Sequence, residues 1–201
     1  MPGKELAVLI LAAGKGTRMR SDRAKVLHLL DSRPLLIHVL DTVAVLKPRR
    51  IIVVVGHQAG EVQSICQGRT VEFVEQRDQL GTGHAVLQAQ EALSGFEGDI
   101  LILCGDMPLL QPATLQGLIQ GHRETRADCT LLSLQTEEKK DFGRVVRDPG
   151  GRVMRIVEHK DASAREKTID EYNSGIYCFN KASLFKALGS IDNRNTQGEY
   201  Y

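Results

Sequence analysis

Residues 7–19 read AVLILAAGKGTRM. Ala7 to Leu11 is a short, continuous apolar run rich in branched side chains, the composition of a strand buried on both faces of a parallel sheet. The loop after it, Leu11-Ala12-Ala13-Gly14-Lys15-Gly16-Thr17-Arg18-Met19, combines small residues with two glycines and the cations Lys15 and Arg18. Small residues let backbone N–H groups approach a ligand closely, and the two cations can neutralise phosphate oxygens. The loop fails the Walker pattern G-x-x-x-x-G-K-[ST], and it fails the dinucleotide fingerprint because Met19 stands where a third glycine belongs. A plain tight turn is the alternative reading of the loop taken alone.

Two further apolar runs repeat the texture of the first, Ile51 to Val55 and Ile100 to Leu103. Between the runs lie helix-length segments: Pro34 to Lys47, with proline at a suitable first helical position, and His84 to Leu93, with apolar residues at helical spacing. Strands alternating with helices predict crossover connections and an α/β fold, a doubly wound, mostly parallel sheet. Gly14, Gly56 and the pair Gly105-Asp106 follow the three runs, which places flexible backbone and one carboxylate at the carboxyl ends of the strands. That rim is where open α/β sheets bind ligands. After about residue 127 the texture changes to strands with a hairpin at Pro149-Gly150-Gly151, then a strand from Gly175 to Phe179 and a helix from Lys181 to Leu188. A smaller, β-containing extension packed on the first half and covering its cleft is expected.

A chain of 201 residues with 42% apolar content can bury one substantial core, with or without a small appended lobe. It contains no uncharged apolar run of about 18 residues, and Lys4 and Glu5 precede its first apolar stretch, so a soluble, unexported, cytoplasmic protein is expected. Cys66, Cys104, Cys129 and Cys178 include no C-x-x-C pair, which fits neither a zinc site nor a disulfide framework; reduced thiols are the plain reading. The six histidines show no H-x-x-x-H or H-x-H spacing, so none is assigned to a metal. A net charge of +1 gives no overall footprint for nucleic acid or a membrane surface. Locally, however, Lys15, Arg18, Arg20, Arg23 and Lys25 face only Asp22, a basic cluster beside the glycine loop.

The loop resembles the G-x-G-T-R-M signature of the sugar nucleotidyltransferases. Seven further blocks extend the likeness in order: Lys25-Val26-Leu27-His28, Gln79-Leu80-Gly81-Thr82-Gly83-His84-Ala85, Gly105-Asp106-Met107-Pro108-Leu109, Gly143-Arg144-Val145, Glu158-His159-Lys160-Asp161-Ala162, Asn173-Ser174-Gly175-Ile176 and Gln197-Gly198-Glu199-Tyr200-Tyr201. Together they resemble the uridylyltransferase domain of the bifunctional N-acetylglucosamine-1-phosphate uridylyltransferase/glucosamine-1-phosphate acetyltransferase family. The resemblance implies uridylyl transfer from UTP to N-acetylglucosamine-1-phosphate for cell-envelope polysaccharide precursors. It implies that Leu11, Ala12, Ala13, Gly14 and Lys15 line the nucleotide, that Gln76, Gly81 and Thr82 hold the base, and that Gly105 belongs to the same set. Asp106 would hold Mg2+, with Arg18 and Lys25 acting on the phosphates, and Cys104, Gly143, Glu158 and Asn173 would contact the sugar. Residues 1–126 would be the nucleotide-binding half and 127–201 the sugar-binding half.

Ser174 and Cys104 stand where the family more often has Thr and Tyr. The family's second magnesium-binding asparagine and its trimer-forming acetyltransferase domain fall beyond Tyr201, so the chain reads as cut rather than finished. Weak or no activity and an open oligomeric state are expected. The rivals are another sugar-1-phosphate or molybdenum-cofactor nucleotidyltransferase of the same fold, and a non-catalytic module that binds UDP-sugars. A dehydrogenase is a third reading, which a binding test showing no affinity for NADH would dispose of.

Overall fold

The AVLIL run forms the middle of the sheet. In a computed structural model, which describes residues 4–16 and 21–201, it lies in β1 (Leu6–Ala12), whose alternate residues enter two different cores. Leu6, Val8, Ile10 and Ala12 face one core; Ala7 and Leu9 face the other. The same division holds in β4 (Arg50–Val55), with Val53 and Val55 against Ile52 and Val54, and in β6 (Asp99–Cys104), with Leu101 and Leu103 against Ile100 and Ile102. A strand covered on both faces has no polar side to alternate with, which is why these segments read as unbroken apolar runs.

The short β2 (Leu29–Leu30) and β3 (Arg33–Pro34) pair as a separate antiparallel hairpin before α1 (Leu35–Ala44). Pro34 was expected inside the first helical turn; its extended backbone, φ −55° and ψ 143°, instead makes it the last residue before the helix. α1, α2 (Ala59–Ile65) and α4 (Pro112–Thr125) bury Leu36, Leu40, Val62, Leu115 and Ile119 in the first core. α3 (Thr82–Gln88) and α5 (Lys181–Leu188) bury Ala85, Val86 and Leu184 in the second, so the sheet has helices on both sides. α3 stops at Gln88, and the remainder of the expected helix to Leu93 consists of turns that still bury Ala89 and Leu93.

β5 (Glu72–Glu75), β4, β1 and β6 lie side by side in that order, all parallel. The chain leaves β1 for β4 and β5 on one side and crosses back to β6 on the other, so the strand order reverses between β1 and β6. A crevice opens beyond the carboxyl ends of the strands at such a switch point. β10 (Glu171–Asn180) adds antiparallel to β6 through Tyr177 to Asn180, and its other edge carries β7 (Cys129–Gln135). Beyond the β6 contact, Tyr172 pairs with Arg144 of β8 (Arg144–Arg147), which pairs with β9 (Val153–Val157). The β7–β10 register shifts between Asn173 and Ile176, an irregularity of the kind that re-aims side chains beside sites.

Candidate active site

A cavity of about 370 Å3 sits at the switch point, beyond the carboxyl ends of β1 and β6. Eleven residues assigned from the sequence line it: Leu11, Ala12, Ala13, Gly14, Lys15, Lys25, Gln76, Gly81, Thr82, Cys104 and Asp106. Gly16, Val26, Gln79, Ala85 and Glu199 complete the lining. Arg18 lies outside the described residues. Gly105 is not among the lining residues: it is buried against Ile10, Val26 and Leu36, and its N–H donates to the Leu11 carbonyl at 2.9 Å, continuing the β1–β6 ladder. A larger groove of about 740 Å3 opens near the amino end of β1 among Lys4, Val45, Arg49 and Arg123, and holds none of the assigned residues.

Lys25 enters the cavity from a short 3-10 turn whose other two residues, Val26 and Leu27, are buried. Ala24, just before it, is fully buried and donates its N–H to the Gln58 side chain, which fixes where the lysine emerges. Across the cavity the Lys25 ammonium pairs with the Asp106 carboxylate at the end of β6. Both groups keep contact with solvent, with side-chain exposures of 44% and 19%, so the pair organises charge more than it stabilises the fold. Cys104, two residues earlier, has its thiol pushed up to about 11 by burial and by the Asp106 charge, against the opposing effect of Lys25. It stays a neutral thiol at ordinary pH, a form that is not a good nucleophile.

The opposite wall starts at Gln76, which continues β5 by donating its backbone N–H to the Val55 carbonyl at 2.8 Å. Its side chain, only 4% exposed, reaches the Gly81 carbonyl at 3.1 Å and Nδ1 of His84 at 3.0 Å. The chain's last residues run over this wall. Tyr200 donates its N–H to the Leu80 carbonyl at 2.8 Å and accepts from the Gly83 N–H at 2.8 Å, which brings Glu199 into the cavity lining. Farther along, Thr196 donates to the Asp161 carboxylate, so this strap touches both the base of α3 and the segment after β9.

Gly143, Glu158 and Asn173 lie outside the cavity lining but close to one another. The Asn173 N–H donates to the Gly143 carbonyl at 2.8 Å, and a Cβ on Gly143 would stand 2.9 Å from Oε1 of Glu158. Burial, then the neighbouring charges of Asp161 and Glu199, raise the Glu158 carboxyl above its ordinary value of 4.5. Tyr177 of β10 is pushed up to about 12, chiefly by burial, with Glu158 and Cys104 also felt. Glu199 and Cys104 thus connect this cluster to the cavity.

Because its folded-state value is raised, Glu158 favours the folded protein only at low pH, and the favourable contribution is lost as pH rises through that value. Near neutral pH the ionised side chain costs stability. Glu158→Gln is therefore expected to raise the melting temperature near pH 7, with the gain vanishing below the ordinary value of 4.5. Thermal melts of both proteins across that range check it; a gain of equal size at both ends would show that charge is not the cause.

Gln79, His84, Glu199 and Tyr177 were not assigned roles from the sequence. The first three fall inside the blocks that carry the family resemblance, which was the available signal; nothing local marked Tyr177.

The profile of the family described as MobA-like NTP transferase domain matches residues 8–196. The bifunctional protein GlmU of Syntrophomonas wolfei is 49% identical over 197 residues, covering 98% of this chain and 44% of that protein. The bifunctional protein GlmU of Listeria monocytogenes serotype 4a is 46% identical over 193 residues, covering 96% and 42%. The chain thus spans less than half the length of the curated relatives it matches. Among solved structures, UDP-glucose pyrophosphorylase complexed with UDP-glucose superposes with a TM-score of 0.79 at 16% identity, over 97% of this chain and 83% of that one. A putative glucose-1-phosphate thymidylyltransferase from Bacillus anthracis, in complex with a sucrose, gives 0.71 at 16%, over 90% and 73%. At that identity the two structures establish a shared fold.

Proposed function

The chain belongs to the MobA-like NTP transferase domain family, and on that premise we propose that it transfers a uridylyl group from UTP to N-acetylglucosamine-1-phosphate, releasing pyrophosphate and UDP-N-acetylglucosamine. The observation that carries the reading is the meeting of Lys25 and Asp106 across a cavity walled by the Gly14 loop and the Gln76 amide. The choice of base and sugar follows the resemblance to the bifunctional proteins GlmU, of which this chain matches less than half.

In the reaction the phosphate of the sugar-1-phosphate attacks the α-phosphorus of UTP in line. An oxygen–phosphorus bond forms and the bond to pyrophosphate breaks. A phosphate oxyanion is already a nucleophile at neutral pH, so no general base is needed. The barrier is repulsion between two polyanions, roughly 4 kcal/mol per pair of unit charges at about 4 Å and an effective dielectric near 20. Lys15 and Lys25 supply positive charge at the cavity, and the resemblance adds Arg18. Their work is to position the phosphates and stabilise charge on the pentacoordinate phosphorus and the leaving group.

Asp106 suits a magnesium ion. Among the described residues no group of three or more His, Cys, Asp or Glu could enclose a metal. Magnesium needs no such cage, since it takes one or two carboxylates and completes its shell with water and phosphate oxygens. When bound, it would neutralise phosphate charge. The Asp106 carboxylate is paired with Lys25, which holds that group at the cavity wall.

The first 126 residues act as the nucleotide half, and the remainder, with Gly143, Glu158 and Asn173, as the sugar half. Gly143, Glu158 and Asn173 would contact the acetamido sugar, with Cys104 on the cavity side. No helix among the described residues is long and apolar enough to cross a membrane. The proposed reaction, with UTP and a sugar phosphate as substrates, is a cytoplasmic one.

Pyrophosphate release with each of UTP, TTP, CTP and GTP, paired with N-acetylglucosamine-1-phosphate or glucose-1-phosphate, tests the assignment. UTP with the acetamido sugar is expected to be the fastest pair. A preference for GTP or for glucose-1-phosphate would reassign the chain to another transferase of this fold. UDP-sugar binding without any turnover would make it a binding module.

A further inference from the structure

Gln76 does more than border the cavity, because its hydrogen bonds determine which end of its amide a ligand meets. The side-chain nitrogen has two partners, the Gly81 carbonyl at 3.1 Å and His84 Nδ1 at 3.0 Å. A primary amide has two N–H donors, so both are engaged. The amide oxygen has no hydrogen-bond partner among the described residues and is not a buried orphan. Gln76 lines the cavity, so that oxygen is the polar atom left for a ligand.

This orientation requires His84 Nδ1 to accept, which puts the proton of a neutral imidazole on Nε2. Nε2 faces the side-chain nitrogen of Gln88 at 3.0 Å, and the same nitrogen lies 3.3 Å from the His84 carbonyl. A neutral ring cannot accept at both nitrogens, so one of the two amides must present oxygen to it. Turning Gln76 over would press its oxygen against the Gly81 carbonyl at a site only 4% exposed. Gln88 is only partly buried and can rotate its amide, or swing into water, at much lower cost. The balance therefore fixes Gln76 and leaves Gln88 to adapt.

We propose that His84 is a positioning residue for nucleotide choice: its Nδ1 lone pair holds the Gln76 amide with the oxygen toward the cavity, which selects a base offering a ring N–H over one offering a ring lone pair. Uracil carries such an imide N–H; cytosine presents an unprotonated ring nitrogen at the equivalent position. The identity of the selected base rests on the uridylyl reading above, while the orientation of Gln76 rests on the hydrogen bonds alone.

Equilibrium binding of UTP and CTP to the wild type, His84→Leu and His84→Asn tests the proposal, together with nitrogen-15 NMR of the histidine rings. In the wild type, His84 is expected to show an unprotonated Nδ1 and UTP is expected to bind more tightly than CTP. His84→Leu removes the acceptor, frees Gln76 to turn, and is expected to lower the UTP-to-CTP preference by about tenfold or more. His84→Asn, whose side-chain oxygen can stand near the Nδ1 position, is expected to restore most of it. A purely structural role would weaken both nucleotides together and leave the ratio unchanged. If His84→Leu does not fold, the NMR tautomer and His84→Asn decide: a protonated Nδ1, or loss of preference in His84→Asn, overturns the positioning role. Wild-type protein with no preference for UTP would instead overturn the uridylyl reading, whichever tautomer is found.

Discussion

Lys25→Ala is expected to lower the turnover number by about two to three orders of magnitude, the range seen when one group that stabilises transition-state charge is removed. UTP affinity should change far less, because in the proposed reading the base and ribose would meet the Gly14 loop, Gln76 and the Gly81 loop, which line the cavity with Lys25. The buried Ala24, Val26 and Leu27 keep the turn in place whatever the side chain at residue 25. Stability is not at stake either, since a partly exposed ion pair contributes about 0–1 kcal/mol. What is lost is the cation paired with Asp106, where the proposed reaction would bring two phosphates together. Single-turnover kinetics with equilibrium UTP binding and a thermal melt separates these effects. An unaltered turnover number would refute the assignment; a lowered melting temperature with proportional loss of all activity would make Lys25 structural.

Gly81→Ala is expected to impair binding and stability together. Gly81 has φ +109° and ψ 176°, a conformation open essentially to glycine alone. An added Cβ would stand 2.4 Å from the Tyr200 carbonyl oxygen and 2.8 Å from the Tyr200 nitrogen. Backbone atoms cannot rotate aside, so either the Gln79–Gly83 loop or the strap carrying Glu199 must move. Either movement breaks the Tyr200 hydrogen bonds to Leu80 and Gly83 and threatens the bond from Gln76 to the Gly81 carbonyl. We expect a loss of about 1–3 kcal/mol in stability, as for a strained backbone position, and at least about a tenfold weaker UTP affinity. Titration calorimetry and denaturant unfolding measure both. Unchanged affinity would mean that the strap and the base loop are not coupled to the ligand.

Much of the framework was readable from local pattern. The runs in β1, β4 and β6 are apolar throughout because each strand is covered on both faces, and the glycines after them mark the rim where the cavity opens. α2, α4 and β5 were not read. α4 shows only Leu115, Leu118, Ile119 and His122 to the interior among fourteen residues, and β5 is an edge strand with glutamates at both ends, so neither carries the uniform signature of the central strands. The same edge position hid the setting of Gln76, whose sequence neighbours Glu75 and Arg77 are charged and whose buried side chain bonds to Gly81 and to His84 of α3. Local pattern did not show how Gly105 is held: at the carboxyl end of β6 it extends the ladder by donating its N–H to the Leu11 carbonyl.

By itself the sequence determined the layered α/β architecture and the rim at which the cavity opens, because burial on two faces leaves marks within a few positions of the chain, while the resemblance to a known family supplied most of the residues that line that cavity. The tertiary structure alone decided that Lys25 meets Asp106, that the strap lays Glu199 beside the Gln79–Gly83 loop, and that His84 and Gly81 bond to the Gln76 amide nitrogen. Each of those meetings joins segments whose proximity follows from strand order and packing rather than from any local preference, and a hydrogen bond's direction depends on partners that only the fold brings within reach.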